Sequence, residues 1–411
     1  MSNAAPTRQP LDDEDVVGEI LCRLPPQPSS IIRASLAVKL WRNHAVTSAF
    51  RRRLRAHHHH APVLGVYEKD ARTLRFIPAF VSPDRIPPER FSLKVNPDHS
   101  YPDNWAVLGC RHGRVLIVNR TRRELLVFDP ISGDCREVAF PADFVNKRHT
   151  TNGAVVCEDE GIGDSTKFRV VLVGVWGKGR DGDLSARIYS SETGVWGDLV
   201  STPEHPKPCR VGRLPCTLAG NGLYWWLTEP HGCILHFDLG SQQLAVINRP
   251  PVADINIGCS RIIRTEDGGI GLAVLSYPTL RMYNRKVGSH GSTTWVMRKV
   301  VEMDKILGYP SSMEMEAGQT YITGYTEEAG AIVVSVHYGR KEDYLYVVQL
   351  DSMRYKEIGA DFLENAYYPY ANFYTGGPSA LQLPAPLDND GGAVEAEDGD
   401  ASIPDDSNSE K

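Results

Sequence analysis

One cassette recurs along most of this chain, and its spacing limits the folds open to it. It consists of a turn glycine, an apolar strand, a second strand ending aromatic-polar, a turn and a third strand. It is clearest as "HGRVLIVNRTRRELLVFDPISGDCREVAF", as "NGLYWWLTEPHGCILHFDLGSQQLAVI" and as "GGIGLAVLSYPTLRMYNRKVGSHGSTTWVMRKV". Looser copies are "KFRVVLVGVWGKGRDGDLSARIYSSETGVWGDLV" and "GAIVVSVHYGRKEDYLYVVQLDSMRYKEI". The anchors Phe128, Tyr189, Phe237, Tyr283 and Leu350 follow one another at 46 to 67 residues. That interval suits four-stranded propeller blades with variable loops.

The five cassettes predict five blades, each gaining an inner strand from the segment before its turn glycine. A sixth blade is split. "VLGVYEKDARTLRFI" supplies its middle strands, and "AYYPYANFY", Ala366 to Tyr374, supplies its inner strand from the far end. Joining them closes the ring and removes the sheet edges that an open array would expose. Pro369 is tolerated because one edge of an innermost strand faces the channel. A two-sheet β-sandwich is the alternative arrangement of the same strands.

The first sixty residues are different in kind. Asp12 is placed to cap a helix, with Asp15 three residues on and Leu11 able to staple against Val16. Val16, Val17, Ile20, Leu21 and Leu24 then share one face, and Pro25 ends the helix. Ser29 or Ser30 is placed to cap a second helix. Ile31, Ala34, Val38, Trp41 and Ala45 make one stripe on it, and Ile32, Leu36 and Leu40 a second. A helix apolar on two sides must be covered on both, and so short a unit cannot do so alone. Either the strand-rich body or another protein supplies the missing wall.

"LDDEDVVGEILCRLPPQPSSIIRASLAVKLWRNHAVTSAF", residues 11–50, resembles an F-box, the adaptor-binding motif of cullin-RING ubiquitin ligases, in the form found in large grass families. Two departures stand out. Leu11 is followed by Asp12 where the family usually has proline, and Val38 takes the place of a frequent cysteine. The body resembles the kelch-like propellers that follow F-boxes in plants, with a clear Gly-Gly doublet only at Gly268-Gly269. The resemblance implies that Leu11, Ile20, Leu21, Leu24, Pro25, Ile31, Ile32, Leu36, Val38 and Trp41 meet a Skp-type adaptor, and through it cullin and RING subunits. It implies a mainly β protein: a helical F-box at 11–55, a linker at 56–61 and a six-bladed propeller at 62–383. Residues 1–10 and an acidic tail at 384–411 are expected to be disordered. The receptor would bind an unknown target protein without catalysis of its own.

Composition agrees with a soluble globular body: 41% hydrophobic and 23% charged residues, with 36 glycines and 28 prolines for its many turns. The net charge of -6 misleads, because the tail alone holds nine acidic residues against one lysine, which leaves the rest slightly positive. The start "MSNAAPTRQP" has no apolar core of a secretory signal, and no run approaches a membrane span. A cytoplasmic or nuclear location is expected, with neither membrane nor nucleic acid as partner. Eight scattered cysteines without a C-x-x-C pair point to free thiols rather than zinc or disulfides.

In "RRRLRAHHHH", four consecutive histidines point about 100° apart on a helix and cannot converge on a metal. The arginines read as a charged face. "GVWGKGRDG" lacks the phosphate-loop pattern, "GRDGDLS" the ordered ligands of a calcium loop, and no nucleophile elbow or H-E-x-x-H occurs. No cofactor is expected. The adjacent Trp225 and Trp226 lie in a strand, so their rings point to opposite faces and fill cores, unless one lines a ligand mouth. A propeller enzyme and an adaptor-binding scaffold that never joins a cullin are the rival functions.

Overall fold

The structure is a computed structural model. It describes residues 13–70, 72–95, 104–141, 144, 151–157, 167–176, 182–202, 205, 207–252, 255–288, 292–309, 319–338, 342–360 and 366–375. Leu11, Asp12, the N-terminal ten residues and the acidic tail lie outside them.

Four helices come first: α1 (Glu14–Cys22), α2 (Pro28–Ala37), α3 (Lys39–Ala45) and α4 (Ser48–His58). Short α5 (Pro88–Phe91) and α6 (Met303–Leu307) sit between strands. The sheets follow. Blade 1 begins with β1 (Val63–Lys69), β2 (Thr73–Pro78) and β3 (Leu93–Lys94), and blade 2 is β4 (Trp105–Arg111), β5 (Arg114–Asn119), β6 (Glu124–Phe128) and β7 (Cys135–Ala139). Blade 3 is β8 (Asn152–Cys157), β9 (Phe168–Trp176) and β10 (Asp183–Ser190), edged by β11 (Val195–Trp196) and β12 (Val200–Thr202). In blade 4, β13 (Arg210–Val211) and β14 (Thr217–Ala219) share β15 (Gly222–Glu229), followed by β16 (Ile234–Asp238) and β17 (Gln243–Ile247). Blade 5 is β18 (Ser260–Arg264), β19 (Ile270–Ser276), β20 (Thr279–Val287) and β21 (Thr293–Glu302). Blade 6 is β22 (Gln319–Thr326), β23 (Ala331–Tyr338), β24 (Glu342–Gln349) and β25 (Tyr355–Ala360). The last strand, β26 (Tyr367–Ala371), pairs with β1, with Val66 opposite Pro369 and Tyr67 opposite Tyr368.

The split sixth blade is therefore formed as the sequence predicts, and the six-bladed propeller excludes the sandwich. Inner strands touch in cyclic order, β26 to β4, β4 to β8, β14 to β18, β18 to β22 and β22 to β26, with β9 meeting β13 between blades 3 and 4. A separate apolar core fills each gap between neighbouring blades. Middle strands such as β9 are buried on both faces, which is why they read as unbroken apolar runs. The anchors fall on the third strand of each blade, or just past it for Leu350. Trp225 fills the core between blades 3 and 4 and Trp226 that between 4 and 5, so the two rings do face opposite ways.

Four local readings of the helical region need correction. Asp13, not Asp12, caps α1: its Oδ1 accepts from the N–H groups of Asp15 (2.9 Å) and Val16 (3.4 Å). Neither Ser29 nor Ser30 caps α2. Gln27 precedes it without a side-chain bond, Pro28 takes the first turn, and Asp84 of the propeller accepts from Ser29 N at 3.0 Å. The second helix is also two. Val38 is extended (φ -140°, ψ 130°), a conformation its β-branched side chain favours, and it divides α2 from α3. The stripe from Ile31 to Ala45 is broken there. Residues 56–58, expected in a linker, form the last turn of α4.

Removing the chain after Ala360 takes away β26 with its buried Tyr367, Tyr368 and Tyr370. That truncation is expected to lower the thermal midpoint by at least about 5 °C, whereas removing only 385–411 should move it by less than about 1 °C. Differential scanning fluorimetry on both chains measures the contrast.

Candidate functional site

Two regions concentrate chemistry: the outside of the helical cap and the end of the channel beneath it. Successive strands of a blade run antiparallel, so the turns between its first and second and its third and fourth strands share one face of the ring. The second turn and the passages to the next blade lie on the other. The cap sits on the first face. Ala61 N donates to Glu328 O in the β22–β23 turn (3.0 Å), and Arg55 Nη2 donates to Asn372 Oδ1 (3.3 Å). His58 lies over Phe373, and Ile32 packs on the core between blades 1 and 2.

These contacts place the residues expected to meet an adaptor. Val17, Leu21, Cys22, Ile31, Ala45, Phe50, Leu54 and the propeller's Phe373 make the core of the cap. Leu21 and Ile31 thus hold the helices together, and Ile32 joins them to the blades. Leu24 and Trp41 pack partly buried against that core, and Ile20 is half-buried. Pro25 is exposed, as are Leu36 (51%) and Val38 (43%). The propeller therefore covers one side of the helices and leaves Pro25, Leu36 and Val38 in water, together with Val16 and Val46.

Beneath the cap the channel is crossed by a buried ion pair. Arg111 Nε contacts Glu327 Oε1, both side chains being almost wholly enclosed. Arg111 Nη2 donates to Cys216 O at 2.9 Å, Leu218 N donates to Glu327 Oε1 at 3.4 Å, and Arg264 Nη2 donates to Glu327 O at 2.8 Å. Blades 2, 4, 5 and 6 meet in this knot. Burial alone would push Arg111 down, but Cys216 and Glu327 outweigh it and hold the guanidinium above its usual range. Burial pushes the Glu327 carboxyl up against the pull of Arg111. Sequence reasoning missed this pair, because the two residues lie 216 apart and neither belongs to a motif.

Beside it, His112 and Gly113 form a two-residue hairpin turn with φ of 51° and 75°, between paired Arg111 and Arg114. Positive φ at both positions marks the turn type that matches strand twist. His112 N donates to Glu328 Oε1 (2.7 Å), and its Nδ1 accepts from Cys157 N (3.0 Å), which ties in blade 3. Burial first, then Arg111, Arg55 and Arg114, push the imidazole down to about 4.

All eight cysteines are unpaired, and burial raises Cys209 and Cys216 to about 11, far from a reactive thiolate. Among the described residues no group of three His, Cys, Asp or Glu could hold a metal ion. His57 and His58 meet edge to face at the end of α4. No helix among the described residues is long and apolar enough to cross a membrane. Trp226 does line the channel, together with Arg261, Thr217 and Tyr325, while its ring fills the core behind.

Fold and site define a six-bladed propeller with a helical cap docked on one face and its channel plugged at that end by a salt bridge. The chain belongs to the family described as "F-box protein AT5G49610-like, beta-propeller", which it matches over residues 106–343, more than half its length. Among curated proteins none matches it. Solved structures of similar shape include the extracellular domain of a one-component system from B. thetaiotaomicron (15% identity, 62% of this chain, TM-score 0.32), of which this chain spans only 28%. TolB from Acinetobacter baumannii (12%, covering 81% of this chain and 73% of that one, TM-score 0.40) is another. A third is a protein of unknown function from Bacteroides caccae (8%, 75% and 98%, TM-score 0.42). Likeness at that level says nothing about activity.

Two outcomes are expected. Glu327→Ala strands the Arg111 charge and should cost about 3–5 kcal/mol, whereas the double variant Arg111→Met with Glu327→Leu should cost less than Glu327→Ala alone. Urea unfolding of the three chains checks this; additive losses would contradict it.

The unfolded chain binds a proton at His112 below about 6.5, while the folded chain refuses it until about 4. The contribution of His112 to stability is therefore whole above 6.5 and is lost as pH falls toward 4, by about 3 kcal/mol at most. Asn tolerates positive φ, and its Oδ1 can replace Nδ1 as acceptor. His112→Asn should flatten this part of the acid limb in unfolding curves at intermediate pH values.

Proposed function

We propose that this chain is the substrate-recognition subunit of a Skp–cullin–F-box ubiquitin ligase, working in the cytoplasm, the nucleus or both. The helical cap, residues 11–55 with the turn that follows, would bind a Skp-type adaptor and through it cullin and RING subunits. The propeller would present a target protein. The observation that carries this is the unequal covering of the cap: one side is fastened to the blades, while Pro25, Leu36 and Val38 remain exposed. Membership of an F-box propeller family supports the same reading.

The contact set is then narrower than the motif alone implies. Leu36, Val38 and Pro25 would be its centre, with the half-buried Ile20, Leu24 and Trp41 at its border. Leu21, Ile31 and Ile32 would act through the shape of the cap rather than by touching the adaptor. The channel end with Arg111 and Glu327 would be structural, and the ubiquitin chemistry would belong to partner subunits. The receptor's work is positioning: a target held near a charged ubiquitin-carrying enzyme reacts at a raised effective concentration.

A carboxylate placed in a dry interface without a partner costs several kcal/mol, and about 3 kcal/mol is more than a hundredfold in affinity. Leu36→Asp and Val38→Asp are each expected to weaken binding to a co-expressed Skp-type adaptor about a hundredfold, with the thermal midpoint unchanged because both side chains already face water. Calorimetry on separated partners measures it. Affinity within threefold of the parent for both variants would refute the adaptor face.

A further inference from the structure

The face of the propeller opposite the cap gathers three cations at the mouth of the channel. Lys69 ends β1, with its Nζ 2.5 Å from Trp105 O and 4.8 Å from the centre of the Trp105 ring. Arg120 follows β5; its N–H donates to Asn104 O (2.7 Å) and its Nη2 reaches Thr151 O (3.5 Å). Arg213 lies between β13 and β14, in a segment that Asn152 holds through the carbonyls of Gly212 (2.9 Å) and Leu214 (2.8 Å). Residues 104–105 thus join Lys69 to Arg120, and residues 151–152 join Arg120 to Arg213. These are the starts of inner strands in blades 2 and 3, where the channel opens.

The partners of Lys69 and Arg120 are backbone carbonyls and a ring face. Among the described residues no carboxylate pairs with Lys69, Arg120 or Arg213. Other surface cations differ: Arg53 meets Glu19, Lys167 meets Glu192, and Lys207 meets Asp183. Burial and then Arg213 push Arg120 down, and burial and then Arg120 push Lys69 down, so like-charge repulsion runs from Arg213 through Arg120 to Lys69. A cluster of like charges attracts the opposite sign and speeds its arrival. Trp105 is buried, so the cluster offers no exposed ring for a nucleic-acid base to stack on.

We propose that this mouth docks an extended, carboxylate-rich segment of the target protein. The proposal rests on the receptor reading above and names the chemistry of what is received. The chain's own acidic tail is the rival occupant. The last described residues before it start on the cap side, where Phe373 packs in the core of the helices.

The test uses the full chain and fluorescence anisotropy with two labelled probes, an alternating Glu-Ser peptide and a Gln-Ser peptide of equal length. At about 50 mM salt the Glu-Ser peptide is expected to bind about tenfold more tightly or better, and to lose most of that margin at about 300 mM. Arg213→Glu, at an exposed position, should weaken the Glu-Ser peptide about fivefold or more, with the thermal midpoint and adaptor affinity unchanged. Equal binding of the two peptides, or an unaffected Arg213→Glu, overturns the proposal while adaptor affinity still reports separately on the receptor reading. A chain ending at residue 383 that binds the Glu-Ser peptide far more tightly than the full chain puts the tail in the mouth, and overturns it too.

Discussion

The contact between Arg111 and Glu327 is the constraint to which the rest of the ring answers. Two charges taken out of water are stable only when each is paired and its remaining hydrogen-bonding capacity is met. Meeting it draws in Cys216 and Leu218 from blade 4 and Arg264 from blade 5. Neighbouring Glu328 accepts from His112 and, through its carbonyl, from Ala61 at the foot of the cap. Apolar cores between blades are forgiving about small rotations, because dispersion has little direction. An enclosed ion pair is not, and it fixes how far the blades stand from the axis. The same pair lies across the channel on the cap side.

The cap is bound to the ring by a few directional bonds and one aromatic contact, with little shared apolar core. Asp84 completes the first turn of α2, Asn372 receives Arg55, and Phe373 enters the core of the helices. Each comes from the split blade or from the segment just after β26. The geometry of the cap relative to the propeller is therefore set where the ring is closed. In the receptor proposed above, that connection would act as the lever arm.

Much of the fold is legible in the sequence because blades are local objects. Strand, glycine, strand and anchor lie within some thirty residues of one another, and strands packed on both faces announce themselves as apolar runs. Even the split blade can be read, since "VLGVYEKDARTLRFI" lacks an inner strand and "AYYPYANFY" lacks everything else. The helices were harder. Their apolar stripes say that both sides need covering, but not which residues the propeller takes. The cap of α2 comes from Asp84, 55 residues away from Ser29. The break at Val38 is a local backbone choice at a β-branched residue, which the apolar stripes on either side of it do not record. The ion pair and the cation cluster at the mouth are invisible for another reason: each joins blades far apart in the chain, and charged residues near turns usually mean only solvent.

The pairing of β26 with β1 has a temporal side as well. During synthesis, the helices and β1 emerge first and must wait for some three hundred residues before their partners exist. Until residue 371 is made, blade 1 shows an unpaired edge at β1, and the cap has neither Asn372 nor Phe373 to rest on. Contacts of such long sequence separation form late and slowly. The nascent chain therefore carries two unfinished surfaces at its leading end, an apolar helix bundle and an open strand. An adaptor that met the cap at this stage would find it before the propeller could hold it.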